Sequence, residues 1–158
     1  MEKLKKTRKC LSMRLLVASF MVLFVSCKKS PDHRSQLIFD LIESLKQEEV
    51  SVGMVQSKYF FEEEIAESED KYGLYLLILS SFRDEINKSS EAEVLLYQEA
   101  IDQEIDVYRI DGNAEDIYVI LLKDKEGEIF NKTYCLMSEG KIQSLSVLRK
   151  GQTVIGWN

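Results

Sequence analysis

The chain has few histidines and cysteines, two of the residue types from which catalytic and metal sites are commonly built. It contains one histidine, His33, which excludes a histidine triad or a metal site built on histidines within one chain. His33 follows the single proline, Pro31, and is predicted to be a solvated residue at the start of a helix. No catalytic motif is found elsewhere, and no cofactor is predicted.

Partial matches to ion and nucleotide motifs fail at their essential positions. The acidic run that begins with Glu62 lacks the fixed spacing and the sixth-position glycine of an EF-hand loop, and is predicted to be a solvated loop or helix face. Gly151 and Gly156 imitate the frame of a P-loop, but Trp157 stands where lysine is needed. Carboxylates are numerous, and Asp106 and Asp116 fall near strand ends, but no pattern nominates a catalytic pair.

The N-terminus, in contrast, is strongly patterned. Residues 15–26 form an apolar run of 12 residues. A membrane-spanning helix needs about 20 such residues to cross a hydrocarbon core of ~30 Å, whereas 12 fits the apolar region of a secretory signal. The basic residues that precede the run are Lys3, Lys5, Lys6, Arg8, Lys9 and Arg14, against one acid, Glu2.

The end of this run resembles the signal sequence of a bacterial lipoprotein. Small Ser26 precedes Cys27, as in a lipobox, although Phe24 stands where leucine is usual. The resemblance implies cleavage before Cys27, a diacylglycerol on the Cys27 sulfur and an acyl chain on its new amine. An uncleaved anchor, or an ordinary secretory signal with a chance cysteine, is the alternative.

The residues after Cys27 bear on the location. The Ser26-Cys27-Lys28-Lys29 junction resembles those of Bacteroidetes lipoproteins. Lys28 is not the aspartate that marks inner-membrane retention in enteric bacteria. Surface export in Bacteroidetes usually needs acids just after the cysteine, and only Asp32 is near. The resemblance therefore implies a lipid anchor in the bacterial cell envelope, at the outer membrane, facing the periplasm.

Removal of the leader makes the remaining chain markedly acidic. Residues 27–158 hold 15 basic and 26 acidic residues, a net charge of −11. Such a domain repels nucleic acid, whose binders carry basic patches, whereas cationic partners are permitted. Cys135 is left as a lone thiol, so no intramolecular disulfide can form, and we expect it to be buried and inert.

The domain organisation follows from these features. Residues 1–26 are predicted to be the signal peptide, 27–32 the lipidated cysteine and its tether, and 33–158 a single domain. The tether of about five residues spans at most ~18 Å when extended, which keeps the domain close to the membrane.

The first part of the domain has helical periodicity. Ser30 is the predicted N-cap of a first helix, whose apolar stripe is Leu37, Ile38, Leu41, Ile42 and Leu45. Residues 50–68 are ambiguous, with Tyr59-Phe60-Phe61 as an aromatic plug to the core. Ser68 is the predicted cap of a second helix with the buried stripe Tyr72, Tyr75, Leu76, Leu79, Phe82 and Ile86. Leu74, Leu77 and Ile78 widen that stripe, which predicts a well-covered helix.

The second part has the period of strands. An extended run includes Val107, Tyr108 and Ile110, and further strands are predicted at 117–122, 129–137, 142–148 and 153–157, joined by glycine turns. Residues 91–102 are ambiguous. Short strands after helices predict an α+β fold in which N-terminal helices pack on a curved antiparallel meander.

This order of elements resembles the cystatin-like and NTF2-like folds, which often leave a cone-shaped pocket. Five aromatic residues are candidates to line such a cone or, preferably, to pack the core: Tyr97, Tyr108, Tyr118, Tyr134 and Trp157. The sequence thus predicts a membrane-anchored binding or interaction module without catalysis, with a protein partner or small ligand. The alternatives are a small carboxylate-based hydrolase or isomerase in an NTF2-like pocket, and an inhibitor or immunity-type lipoprotein.

Overall fold

The computed structural model describes residues 32–61, 69–111 and 113–157, without the side chains of residues 69–71, 148 and 155. The helices described are α1 (His33–Lys46), α2 (Val52–Tyr59), α3 (Glu69–Lys88) and α4 (Tyr97–Asp102). The strands described are β1 (Glu91–Leu96), β2 (Arg109–Ile110), β3 (Ile117–Lys123), β4 (Ile129–Ser138), β5 (Lys141–Ser144), β6 (Val147–Lys150) and β7 (Thr153–Trp157). None of the described helices is both long enough and apolar enough to cross a membrane.

Helix α1 begins where a side chain can cap it. The Asp32 carboxylate accepts a hydrogen bond from the backbone N–H of Ser35 at 2.6 Å, which satisfies one of the free donors of the first turn. The N-cap is therefore Asp32, and the predicted cap Ser30 lies outside the described residues. The predicted stripe is confirmed, since its buried members recur at helical spacing: Ile38, Leu41, Ile42 and Leu45.

Helix α2 resolves part of the segment that the sequence left ambiguous. Ser51 caps it by accepting from the backbone N–H of Met54 at 3.3 Å. Tyr59 and Phe60 are buried at its end, as the aromatic-plug prediction requires, whereas Phe61 is only half-buried. The predicted cap of the next helix, Ser68, lies outside the described residues.

The Gln56 side chain on α2 is buried, with 1% of the residue's surface exposed. Its amide Nε2 and Oε1 have no hydrogen-bond partner in the structure. Because an unsatisfied buried amide carries its full desolvation penalty, we expect Gln56→Met to raise the free energy of unfolding by about 1 kcal/mol. Urea denaturation measures this, with Gln36→Met on the exposed face of α1 as the control that changes little. A loss of stability in Gln56→Met would contradict the prediction.

The strands form two sheets rather than one meander. The first is antiparallel with the order β1-β3-β4-β5, and the second has the order β2-β7-β6, in which β2 and β7 are parallel. Strand β3 lies inside the first sheet and is buried on both faces, as its continuous apolar sequence predicts.

The predicted strand at 142–148 is wrong, because the chain changes sheets within it. The Ser144 hydroxyl donates to the carbonyl oxygen of Ser146 at 2.8 Å and accepts from its N–H at 3.1 Å, which turns the chain after β5. Leu145 packs in the core between the first sheet and helices α1, α2 and α3, which we call the helix-side core. Val147 packs in a second core, on the opposite face of that sheet. The segment therefore crosses from one face of the first sheet to the other.

Each face of the first sheet has its own core. Tyr118, Ile120 and Leu122 of β3 face helices α1, α2 and α3. The alternate residues Ile117, Val119 and Leu121 face α4, the chain around Ile105 to Ile110 and the second sheet. The class is therefore α+β, with helices packed on antiparallel strands, as the sequence predicts.

Candidate functional site

Helix α3 exposes apolar residues that the sequence predicts to be covered. Tyr75, Leu79, Phe82 and Ile86 are buried as predicted, but Leu77 is 67% exposed, Leu74 46% and Tyr72 45%. The prediction of a well-covered helix is therefore wrong for its outer face. Leu74 and Leu77 are one turn apart and therefore adjacent on the helix surface, and adjacent exposed apolar residues, unlike a single one, commonly mark a binding site.

A groove begins at this exposed face, and we call it the α3–β4 groove. Its volume is about 340 Å³, at the small end of the range for ligand pockets. The residues that line it come from α3, from β4 and from the chain after β5: Leu77, Ile78, Ser81, Phe82, Glu85, Thr133, Leu145 and Ser146.

The groove opens because β5 is shorter than β4. Strand β5 pairs only with the C-terminal end of β4, at Leu136, Met137 and Ser138. Among the described residues, no strand pairs with that side of β4 at Thr133, where the chain turns away through Ser146. Helix α3 passes over this gap, so its residues form one wall and β4 forms the other.

The groove combines an apolar floor with a polar rim. Phe82 and Leu145 are buried beneath it, and Leu77 stands at its edge. Glu85 is the charged residue of the lining, and its carboxylate accepts a hydrogen bond from the side-chain amide of Asn131. An open apolar surface with a few placed polar groups is suited to binding side chains of a partner.

The carboxylates near strand ends are not brought together. Asp116 pairs with Arg34 of α1, whereas Asp106 lies 3.7 Å from the ammonium of Lys132. Within the described ranges, no group of three or more histidine, cysteine, aspartate and glutamate side chains is placed to hold a metal ion. His33 is exposed at the first position of α1, as predicted.

Cys135 is buried among the helix-side core residues, as predicted. Burial in apolar surroundings raises the pKa of its thiol well above the usual value. Because the thiolate is the reactive form, this environment makes Cys135 inert in the folded protein.

A polar cluster ties the start of α1 to the sheet. The Tyr118 hydroxyl donates to Asp32 at 3.1 Å, and Arg34 forms its ion pair with Asp116, which immediately precedes β3. Burial alone would raise the pKa of Asp32, but hydrogen bonds from Ser35 and Tyr118 outweigh it and lower that pKa. The cluster holds α1 at the end of the sheet where β3 begins.

The tyrosine hydroxyls on the opposite face bond to the backbone. Tyr97 donates to the carbonyl oxygen of Tyr108 at 2.9 Å, and the Tyr134 hydroxyl accepts from the N–H of Tyr108 at 2.7 Å. The rings of Tyr108 and Tyr134 stack at 5.4 Å between centroids, and Trp157 packs in the same core. These residues pack the core and fix the chain before β2, which agrees with the preferred interpretation of the five aromatics.

Among known proteins, no family model matches this chain, and no significant match is found among curated proteins or solved structures.

Proposed function

We propose that this protein is a lipoprotein of the bacterial cell envelope, anchored through Cys27, whose α+β domain is a non-catalytic binding module. It faces the periplasm from the outer membrane. We also propose a cystatin-like or NTF2-like arrangement for the domain. The packing of α1, α2 and α3 on one face of an antiparallel sheet supports that arrangement.

The lipobox resemblance at Ser26-Cys27 supports the anchor. Each buried methylene of an acyl chain contributes about 0.8 kcal/mol, so one chain binds a membrane marginally and two or three hold the protein firmly. Lys28 and Lys29 each add about 1 kcal/mol on an anionic surface.

The groove and the first described residue of the domain, Asp32, lie at different places along the first sheet. The tether joins the domain at Asp32, which lies at the end of the sheet marked by Tyr118 and Asp116. The N–H of Met137 on β4 donates to the carbonyl oxygen of Asp116 at 2.9 Å. Thr133 in the groove is four residues earlier on β4, which is about 13 Å along the strand. Thr133 of the groove therefore lies about 13 Å along β4 from the end of the sheet at which Asp32 is held.

The exposed apolar face of α3 is the observation that carries the binding function. Leu77 is the most exposed of its large apolar residues, and the groove beside it has room for partner side chains. Among the described residues that line the groove, Glu85 is the one carboxylate, whereas a carboxylate-based hydrolase needs two acids that converge. The residues described therefore favour the binding module over the hydrolase or isomerase.

Metabolic labelling with an alkyne-bearing fatty acid tests the anchor in a bacterial host. We expect label on the wild-type chain and on Cys135→Ala, because the buried thiol of Cys135 is not an acylation site. We expect no label on Cys27→Ser, which lacks the sulfur that receives the diacylglycerol. Label that persists on Cys27→Ser, or is missing from the wild-type protein, would contradict the lipoprotein function.

A further inference from the structure

The groove has a chemistry that selects one kind of occupant. Resting on the binding function proposed above, we infer that the α3–β4 groove accepts a segment of a partner protein in which apolar side chains stand beside a lysine or arginine. The apolar side chains would cover Leu77 and fill the groove, and the cation would pair with Glu85.

The exposed apolar side chains of α3 indicate that the partner presents apolar side chains of its own. Leu74 and Leu77 lie one turn apart, and Ile78 continues into the groove, so the three make one apolar strip. Their contact with water is unfavourable, and a partner that covers them gains free energy in proportion to the apolar surface removed from water. The groove is open to solvent rather than enclosed, so side chains of a polypeptide segment can enter it.

Glu85 and its surroundings indicate that the partner carries a positive charge. Asn131 donates to one oxygen of the Glu85 carboxylate, and the neighbouring Asp84 is exposed. The cationic groups closest in sequence to the lining are directed elsewhere. Arg83 donates to the carbonyl oxygen of Val50 at 2.6 Å, and Lys132 bonds to Asp106. Lys88 follows one turn after Glu85 and lies outside the lining.

The net charge of residues 27–158 favours a cationic partner over a second copy of the chain and over an anionic membrane. Residues 27–158 carry a net charge of −11, so a second copy or an anionic membrane would bring like charges to the Glu85 end of the groove. A cationic segment is attracted instead, and its encounter rate falls as salt is added.

Peptide binding to the intact protein tests the inference. The lipidated full chain is purified from membranes and placed in phosphatidylcholine nanodiscs, and fluorescence anisotropy is measured with three synthetic peptides. The first alternates leucine and lysine, the second replaces lysine by glutamate, and the third replaces leucine by serine. We expect binding of the leucine–lysine peptide alone, above its binding to empty nanodiscs, with affinity that decreases as salt is added.

Three variants locate the binding. Leu77→Asp places a charge in the apolar wall and is expected to abolish binding. Glu85→Gln keeps an acceptor for Asn131 but removes the charge, and is expected to weaken binding about two- to fivefold, the range for one ion pair at a partly exposed site. Ile101→Asp is the matched control, because Ile101 is 42% exposed on α4 and outside the groove, and it is expected to bind like the wild-type protein.

Each contrary outcome overturns the inference in a distinct way. Equal binding of the leucine–glutamate peptide would remove the charge selection, and unchanged binding by Leu77→Asp would remove the groove. A dimer that Leu77→Asp converts to a monomer would assign the groove to a second copy. The lipid on Cys27 is measured in the same sample, so lack of binding by a lipidated protein rejects the partner class, whereas binding by an unlipidated protein rejects only the anchor.

Discussion

Replacement of Leu79 by alanine is expected to lower the free energy of unfolding by about 3 kcal/mol. Leu79 lies on the inner face of α3 with no exposed surface, in the core shared by the helices and the first sheet. Truncation removes apolar contacts and leaves a cavity that the surrounding α1 and β3 residues fill only in part. Leucine and alanine are both good helix formers, so the loss comes from packing rather than from helix propensity.

Leu77→Ala is the matched control for this prediction. Leu77 lies on the same helix two residues away, but it is 67% exposed at the groove. We expect its replacement to change the free energy of unfolding by no more than about 0.5 kcal/mol. Urea denaturation of both variants measures the difference. Similar losses in the two variants would show that the outer face of α3 is covered, and would remove the basis of the groove.

Alkaline pH is expected to destabilise the domain through two buried tyrosines. Burial, with a contribution from the nearby Asp32, raises the pKa of Tyr118 to about 12. Burial also raises the pKa of Tyr134 to about 12, although the N–H of Tyr108 acts in the opposite direction. The ordinary tyrosine pKa is about 10, so the folded state holds these protons more tightly than the unfolded state. The stability that the raised pKa values of Tyr118 and Tyr134 contribute to the folded state is complete below pH 10. It is lost as the pH rises from about 10 to about 12.

Urea denaturation at pH 8 and at pH 11 measures this loss, which we expect to be a few kcal/mol for the two groups together. The variant that carries Tyr118→Phe and Tyr134→Phe is less stable at pH 8, because hydrogen bonds to Asp32 and Tyr108 are removed. Its stability should nevertheless change less between the two pH values. Tyr72→Phe, at an exposed site on α3, should behave like the wild-type protein. An unchanged pH dependence in the double variant would contradict the assignment.

Sequence periodicity correctly predicted α1, which is buried along one stripe, and β3, which is buried on both faces. The stripe of α1 appears as Ile38, Leu41 and Ile42, at the spacing of a helix packed on a sheet. The continuous apolar run of β3 required cover on both faces, and the structure supplies a core on each. These predictions succeed because the burial pattern repeats with the period of the element itself.

The groove could not be predicted in this way, because it depends on how far neighbouring elements extend. Leu77 lies two residues from buried Leu79, roughly 200° around α3, so it falls on the outer face of the helix, and the gap beside β4 arises from the early end of β5. The break between β5 and β6 is equally local, since it depends on the bonds between Ser144 and Ser146. The sequence signal for the groove was the width of the apolar stripe on α3. A helix that is apolar beyond one face needs a second surface to cover the additional apolar residues.

The intact mass of the mature protein tests the central proposal most directly. The protein is extracted from the membranes of a Bacteroidetes host, and its mass is compared with that of a Cys27→Ser variant. We predict a wild-type chain that begins at Cys27 and carries the added mass of a diacylglycerol and an acyl chain, both absent from the variant. A wild-type chain that retains residues 1–26, or that is secreted without lipid, would contradict the proposal and leave the domain without its anchor.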